Sequence, residues 1–180
     1  MMRHEIRLQA SGGQGIITAG RLIGEAVSLH EHKEAIMTEN YSPFVRGGSS
    51  RADLIISDEP IDYPLVTKPD ILVAMSQEAL DSNWEHTSND AAIFVQSGRT
   101  HSPSLNGRRL FTVPALAIAE ELGKKVVANV VILGVLTAET RIVGRDAIES
   151  AIADRYPKEA ELNRQAFERG YNLFSGRDPP

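Results

Sequence analysis

Near its N-terminus the chain reads Glu5-Ile6-Arg7-Leu8-Gln9-Ala10-Ser11-Gly12-Gly13-Gln14-Gly15-Ile16-Ile17. Apolar and polar side chains alternate over residues 5–10, which predicts a short β-strand. After the glycines, apolar or small residues recur at helical spacing as far as Val27, which predicts a helix. A strand, a glycine turn and a helix therefore follow one another directly, as they do in α/β folds.

Strand and helix patterns continue to alternate along the chain. Strands are predicted at residues 35–38, 52–57, 70–75, 91–95 and 110–113, and residues 40–50 are predicted to form a loop. Ser76 is expected to cap a helix at 77–83, and Pro114 to open a helix over 115–122. Three more helices are predicted at 126–138, 145–153 and 158–174. This order predicts an α/β three-layer sandwich, a mainly parallel sheet with helices on both faces. We expect one domain over residues 1–174 and a disordered tail at 175–180.

Composition excludes several classes of function. The chain has 180 residues, a net charge of -5 and no cysteine. An acidic chain without a basic cluster is a poor ligand for nucleic acid. Because the chain has no thiolates, it can form neither disulfides nor cysteine-bound iron–sulfur clusters. No apolar run is long enough to span a bilayer and no signal sequence is visible, so we expect a cytoplasmic protein that does not enter a membrane.

The glycine turn is the first candidate binding site. Consecutive backbone N–H groups at a helix N-terminus favour an anion, so a phosphate or carboxylate is expected at Gly12, Gly13, Gln14 and Gly15. A dinucleotide fingerprint would place its first glycine at Ala10, which counts against an NAD site, although Glu39 lies near the spacing of a ribose-binding acid. The turn could also serve only to pack the strand against its helix.

The second candidate is the loop that contains Tyr41, Pro43, Arg46, Gly47 and Gly48. Aromatic and arginine side chains among glycines are typical of binding surfaces, and the Arg46 guanidinium is suited to clamp a carboxylate or phosphate. The alternative is a surface turn in which Arg46 pairs with an acidic residue of the same chain.

Other polar residues form no recognisable catalytic or metal-binding pattern. His30 and His32 lack the spacing of a zinc motif, and His4 is expected to be solvated. Asp53 and Asp70 are interpreted as turn, strand-end or helix-flanking groups. No catalytic residue and no metal site is therefore predicted, and a chain equipped in this way is expected to need partners.

Four motifs in the same order resemble the gamma subunit, or the corresponding fused domain, of the pyruvate, 2-oxoglutarate and ketoisovalerate:ferredoxin oxidoreductases. The family's G-x-G-G-Q-G turn, its Tyr-Gly-Pro-Glu-x-Arg-Gly-Gly loop and two later motifs have counterparts here, with Ala10, Ser42 and Phe44 as departures. The later motifs are matched by Ser57, Asp58, Pro60, Ile61 and residues 69–75, then by Asn129, Asn163, Ala166, Phe167 and Gly170. Residues 50–61 look closest to 2-oxoglutarate members.

This resemblance implies a subunit of an enzyme that converts a 2-oxoacid, coenzyme A and oxidised ferredoxin into acyl-CoA, carbon dioxide and reduced ferredoxin. It places thiamine diphosphate, magnesium and 4Fe–4S clusters on alpha, beta and ferredoxin-like delta subunits, and no cofactor on this chain. The glycine turn and the Arg46 loop would face partner subunits or an anionic part of coenzyme A. A self-sufficient NAD(P)- or flavin-binding protein of the Rossmann type and a non-enzymatic scaffold are the competing hypotheses.

Overall fold

The computed structural model describes residues 2–11, 13–41, 48–98 and 105–175. These residues contain one sheet of six strands, β1 (Arg3–Ser11), β2 (Glu34–Tyr41), β3 (Ser49–Ser57), β4 (Ile71–Ala74), β5 (Ala92–Gln96) and β6 (Arg109–Val113). They also contain six α-helices, α1 (Ile16–Glu25), α2 (Gln77–Asn83), α3 (Ala115–Glu121), α4 (Ala128–Thr140), α5 (Arg145–Arg155) and α6 (Ala160–Tyr171). The predicted strands and helices are all present, with ends that differ by at most three residues.

Local signals explain several of these ends. The Ser76 hydroxyl accepts a hydrogen bond from the Ala79 N–H at 3.2 Å, which confirms its role as the cap of α2. Pro114 precedes α3 instead of forming its first residue. A π-helical turn, Ala26–His30, extends α1, and a 3₁₀ turn, Lys125–Val127, precedes α4. Of the tail predicted at 175–180, Ser175 alone lies within the described residues.

The sheet has the strand order β2-β3-β1-β4-β5-β6. The pairings of β1 with β4, β4 with β5 and β5 with β6 are parallel. In contrast, β3 is antiparallel to both β1 and β2. The α/β class and the mainly parallel sheet are confirmed, but β2 and β3 form a hairpin that was not predicted. Residues 42–48 are too few for the crossover that a parallel pair would need.

Helices cover both faces of the sheet. The larger core includes Leu8, Leu54 and Val73 of the sheet together with residues of α1, α3, α4, α5 and α6. On the opposite face, Leu72 and Ile93 pack against Leu80 of α2 and the adjacent Trp84. No helix in the described ranges is both long and apolar enough to cross a membrane.

Helix α4 is the centre of the larger core, and residues 128–137 are all buried. The contact between α4 and α6 is the most extensive one between two helices of the described chain. The two helix backbones come closest at glycine residues. A Cβ atom on Gly134 would overlap the Phe167 carbonyl oxygen, and one on Gly170 would overlap the Val131 carbonyl oxygen. The family motif that ends at Gly170 is therefore a packing motif in this chain.

His4 and Asp70 join the N-terminal ends of β1 and β4. Their Nδ1 and Oδ2 atoms are 2.6 Å apart, and Asp70 also accepts the Glu5 N–H at 3.0 Å. The expectation that His4 is solvated is therefore wrong. The pKa of His4 is raised above 6.5, mainly because of its hydrogen bond to Asp70. Burial alone would lower this pKa.

This pair makes stability depend on pH. Because the folded pKa of His4 is raised, its contribution is fully present below about pH 6.5 and is lost as the pH rises through the folded value. In urea unfolding, we expect His4→Gln to cost more stability at pH 5.5 than at pH 9. Asp70→Asn should remove the same pH-dependent part. A stability difference between wild type and His4→Gln that grows with pH would contradict this assignment.

Candidate functional site

The glycine turn connects β1 to α1 at the C-terminal edge of the parallel strands. Gly13 has φ +86° and Gly15 has φ +70°, the left-handed region that favours glycine. Gly15 is the residue before α1, and its carbonyl oxygen accepts the Ala19 N–H at 3.0 Å. Gly12 lies outside the described residues. The strand–turn–helix geometry expected for an anion site is therefore present from Gly13 onwards.

Asn129 holds this turn against a second helix. Its Nδ2 atom donates to the Gly15 carbonyl oxygen at 3.2 Å, and its Oδ1 atom accepts the Val130 N–H at 2.9 Å. A Cβ atom on Gly15 would lie 2.8 Å from Nδ2, so a larger residue would displace Asn129. The first turns of α1 and α4 are therefore neighbours. A polar residue at the start of an apolar helix was the sequence signal for this contact.

The electrostatics of the turn favour a negative group. Helix α1 has no side-chain cap and no acidic residue in its first turn. It contributes the positive end of its dipole, which stabilises an anion by about 0.3–1 kcal/mol at an exposed helix end. In α4, the Ala128 and Val130 N–H groups already donate to the Lys125 carbonyl oxygen and to Asn129 Oδ1. The Gln14 Oε1 atom is buried and accepts no hydrogen bond within the described chain. This oxygen is an acceptor and does not itself favour an anion; a group that donates to it would remove a desolvation cost of about 1–3 kcal/mol.

The second candidate loop ends beside the glycine turn and begins one strand farther along the sheet. Tyr41 is the last residue of β2, and Gly48 immediately precedes β3. Ser49, the first residue of β3, is the register partner of Ser11, the last residue of β1. The sheet therefore brings the two candidate motifs to one edge. The remaining predicted residues of the loop, Pro43, Arg46 and Gly47, lie outside the described residues.

On the face of the sheet covered by α2, buried polar side chains connect β1, β3 and α2 through hydrogen bonds. Gln9 Nε2 donates to the Ser49 hydroxyl at 3.0 Å, and Gln9 Oε1 accepts from Asn83 Nδ2 at 2.9 Å. Asn83 Oδ1 in turn accepts from Arg7 Nη1 at 3.2 Å. This chain of hydrogen bonds connects the start of β3 to α2. It was not predicted, since its members are far apart in the sequence.

Arg7 and Asp53 form a buried ion pair below that network. Arg7 Nε and Nη2 donate to the two carboxylate oxygens of Asp53 at 2.7 and 2.9 Å, and Arg51 Nη2 lies 3.1 Å from Oδ2. The side chains of Arg7 and Asp53 are 8% and 6% exposed. The interpretation of Asp53 as a turn or strand-end group is therefore wrong, because it lies within β3.

The geometry does not favour the dinucleotide alternative. In a Rossmann fold the second strand is parallel to the first and adjacent to it, whereas here β2 lies beyond the antiparallel β3. Glu39 is therefore about 10 Å away from β1, two strand spacings. Its carboxylate accepts hydrogen bonds from Arg21 at 2.8 and 3.0 Å.

The other candidate ligands remain dispersed. Within the described ranges, no three His, Asp or Glu residues are grouped so that they could hold a metal ion. His30 Nε2 lies 3.5 Å from Asp154 Oδ2, and His32 adopts a left-handed φ of 56° in the turn after the π-helix. Both histidines lie beyond the C-terminal end of α1, opposite the glycine turn that precedes it.

Comparisons with known proteins agree with this arrangement. Residues 5–173 match the family described as pyruvate ferredoxin/flavodoxin oxidoreductase. A protein of Methanocaldococcus jannaschii named 2-oxoglutarate synthase subunit KorC is 43% identical over 176 residues, which are 96% of this chain and 94% of that protein.

Solved structures share the fold. The keto/oxoacid ferredoxin oxidoreductase gamma subunit of Geobacter sulfurreducens superposes with a TM-score of 0.86 and 35% identity over 95% of both chains. A chain of the 2-oxoglutarate:ferredoxin oxidoreductase of Magnetococcus marinus, solved with 2-oxoglutarate, coenzyme A and succinyl-CoA, gives a TM-score of 0.90 at 21% identity. That match covers 100% of this chain and 32% of the other, and it shows a common fold alone.

Proposed function

The chain belongs to the pyruvate ferredoxin/flavodoxin oxidoreductase family as a gamma-type subunit of a 2-oxoacid:ferredoxin oxidoreductase, and from this we propose that its complex oxidises 2-oxoglutarate. The reaction joins the oxoacid to coenzyme A, releases carbon dioxide and passes two electrons to ferredoxin. The 43% identity to a 2-oxoglutarate synthase subunit supports this choice of substrate.

The role proposed for this chain is to bind an anionic part of coenzyme A, or the partner surface that presents it. The observation that supports this role is the Ser11–Ser49 register, since Ser49 follows the Arg46 loop and Ser11 precedes the glycine turn. Coenzyme A carries phosphates, and the backbone N–H groups of the glycine turn at the start of α1 are suited to them. An arginine in the adjoining loop would add a charge-assisted hydrogen bond.

The redox chemistry is assigned to partner chains. The sequence has no cysteine, so it cannot ligate an iron–sulfur cluster through thiolates. We therefore assign thiamine diphosphate and magnesium to alpha and beta subunits, and 4Fe–4S clusters to the beta and a ferredoxin-like delta subunit. The complex is proposed to act in the cytoplasm with ferredoxin as acceptor. The residues of this chain contribute binding and orientation.

Kinetics of the assembled complex test the binding role. Loss of one charge-assisted hydrogen bond costs about 1.5–3 kcal/mol, so Arg46→Ala is expected to raise the KM for coenzyme A about tenfold or more. Lys68→Ala, an exposed cation just before β4 and so at the opposite edge of the sheet, is the matched control. An unchanged KM in Arg46→Ala would reject this role for the loop.

Gly13→Ala provides a separate test of the turn. No atom lies within 4 Å of a Cβ placed there, so the substitution strains only the backbone, by about 1 kcal/mol. Gly98→Ala has the same kind of strain, with φ +72° and open space, in the connection that follows β5. We expect equal losses of stability but a raised KM for coenzyme A in Gly13→Ala alone. If Gly13→Ala and Gly98→Ala had the same KM for coenzyme A, the glycine turn would not be part of the binding site.

Ligand binding by the isolated chain separates this proposal from a dinucleotide-binding protein. A ligand at about 100 times its Kd stabilises the folded state by about 2.7 kcal/mol. Thermal shifts with coenzyme A, NADH and FMN measure this effect directly. A shift with NADH or FMN but none with coenzyme A would favour the Rossmann alternative.

A further inference from the structure

A groove of about 410 Å³ lies between α5 and α6. Its accessible apolar floor consists of Ala153 and Ala160, and Ile152 and Phe167 are buried beneath them. Helix α6 packs on α4, which itself contacts the sheet, so the groove opens on the outer side of the helical layer. A groove that combines apolar surface with charged side chains is a place where a side chain of another molecule packs.

The walls of the groove carry surplus negative charge. Arg164 donates to both oxygens of Glu161 at 3.0 and 2.8 Å and to Glu168 at 2.7 Å. Arg145 donates to Glu149 at 2.7 Å. Asp146, Glu149, Glu161 and Arg164 line the groove, whereas Arg145 and Glu168 lie outside it and pair with them. Two negative charges are therefore not balanced within this group.

Hydrogen bonds favour the charged forms of two of these side chains. Hydrogen bonds from Arg164 and then Gln165 lower the pKa of Glu161 below its usual value, and the bond to Glu149 raises the pKa of Arg145. Asp146 has no hydrogen bond or ion pair in the described chain and lines the mouth of the groove. It is the carboxylate best placed to receive a cation from outside.

An apolar floor with an acidic rim matches a long side chain that has an apolar stem and a cationic head. Lysine and arginine both bury their methylene stems while the charged head stays at a polar boundary. Arginine fits better, because its planar guanidinium forms paired hydrogen bonds with a carboxylate and is enriched in the energetic centres of interfaces.

We propose that the α5–α6 groove receives an arginine side chain of a partner subunit, with its stem on Ala153 and Ala160 and its guanidinium at Asp146. The groove is thereby a docking surface that holds this chain in the complex. It is separate from the glycine turn, which lies where β1 meets α1. This inference rests on the proposed function, since it requires a heteromeric enzyme.

Assembly of the complex with its alpha and beta subunits tests the proposal. Asp146→Lys is expected to weaken association of this chain at least tenfold, and the loss should shrink as salt is raised. Ala153→Phe, which fills the groove, should weaken association to a similar extent at every salt concentration. Glu85→Lys makes the same charge change beside α2 on the other face of the sheet and should have no effect.

Each outcome has a distinct meaning. Turnover per assembled complex should stay at the wild-type value in all three variants, because none of these residues belongs to the proposed coenzyme A site. Wild-type affinity in both Asp146→Lys and Ala153→Phe would overturn the docking proposal, as would a dimer of the isolated chain that these variants dissociate. Failure of the unaltered chain to join alpha and beta subunits would instead reject the proposed function.

Discussion

Gly134→Ala is expected to destabilise the protein by about 3 kcal/mol, because the new methyl group would overlap the Phe167 carbonyl oxygen. Backbone atoms cannot rotate away as a flexible side chain would, so α4 and α6 must separate along their main contact. For a chain of this size the loss corresponds to a fall in Tm of about 6–12 °C. Gly170→Ala should cost a similar amount, since it faces Val131 from the other helix.

Gly24→Ala is the matched control for both substitutions. Gly24 lies inside α1, and no atom is found within 4 Å of a Cβ placed on it. Alanine favours a helix over glycine by about 0.8–1 kcal/mol, so this variant should be slightly more stable than wild type. Thermal unfolding of the three variants measures the difference. A Gly134→Ala protein as stable as Gly24→Ala would contradict the described crossing of α4 and α6.

Asp53→Ala is expected to cost about 3–5 kcal/mol, because it leaves the buried Arg7 guanidinium without its carboxylate. Arg7 would keep its hydrogen bonds to Asn83 and to the Val66 carbonyl oxygen, which are neutral acceptors. Arg51 would lose the same partner. Chemical denaturation of the purified chain measures the loss.

The double variant Arg7→Met/Asp53→Leu distinguishes an unpaired charge from a simple loss of packing. Removal of both charges avoids the desolvation cost, so this variant should be more stable than Asp53→Ala. A double variant that is no more stable than Asp53→Ala would contradict the assignment of this loss to the unpaired Arg7 charge.

The first strand, turn and helix could be predicted because their signals are local. Alternation over residues 5–10, glycines at 12–15 and helical spacing after them each depend on near neighbours in the chain. Gly13 and Gly15 then take the positive φ values that explain why glycine stands there. The α/β class followed from the same reasoning, and the family resemblance is confirmed over residues 5–173.

The β2–β3 hairpin was missed for a physical reason. Strand pairing joins residues distant in sequence, and a predicted loop at residues 40–50 hid the true ends of both strands. A connection this short between two strands excludes a parallel crossover, so its length was the signal that could have been used. The hairpin matters for the proposed function because it starts β3 at Ser49, which is the register partner of Ser11 just before the glycine turn.

The buried ion pair shows why polar residues in an alternating strand cannot always be assumed to be exposed. Arg7 and Asp53 each occupy the polar positions of alternating strands, which normally indicates a solvated face. Here Val66 and α2 cover that face, and no local pattern in residues 58–70 predicts this cover. Asn129 differs, because the resemblance pointed to it while its contact with Gly15 required the fold.

Several predictions stay predictions. Gly12, Pro43, Arg46 and Gly47 lie outside the described residues, as do residues 176–180 of the expected tail. The single domain over residues 1–174 and the cytoplasmic location also rest on the sequence. The structure shows where the Arg46 loop starts and ends, at the last residue of β2 and just before β3. For this reason one of the kinetic variants changes Arg46.

The most direct test of the account is reduction of ferredoxin, measured with 2-oxoglutarate and coenzyme A, by alpha, beta and delta subunits with and without this chain. We expect turnover only when the chain is present, and none from the chain alone. Turnover of any 2-oxoacid by the isolated polypeptide, or equal activity of the other subunits without it, would contradict the role assigned here.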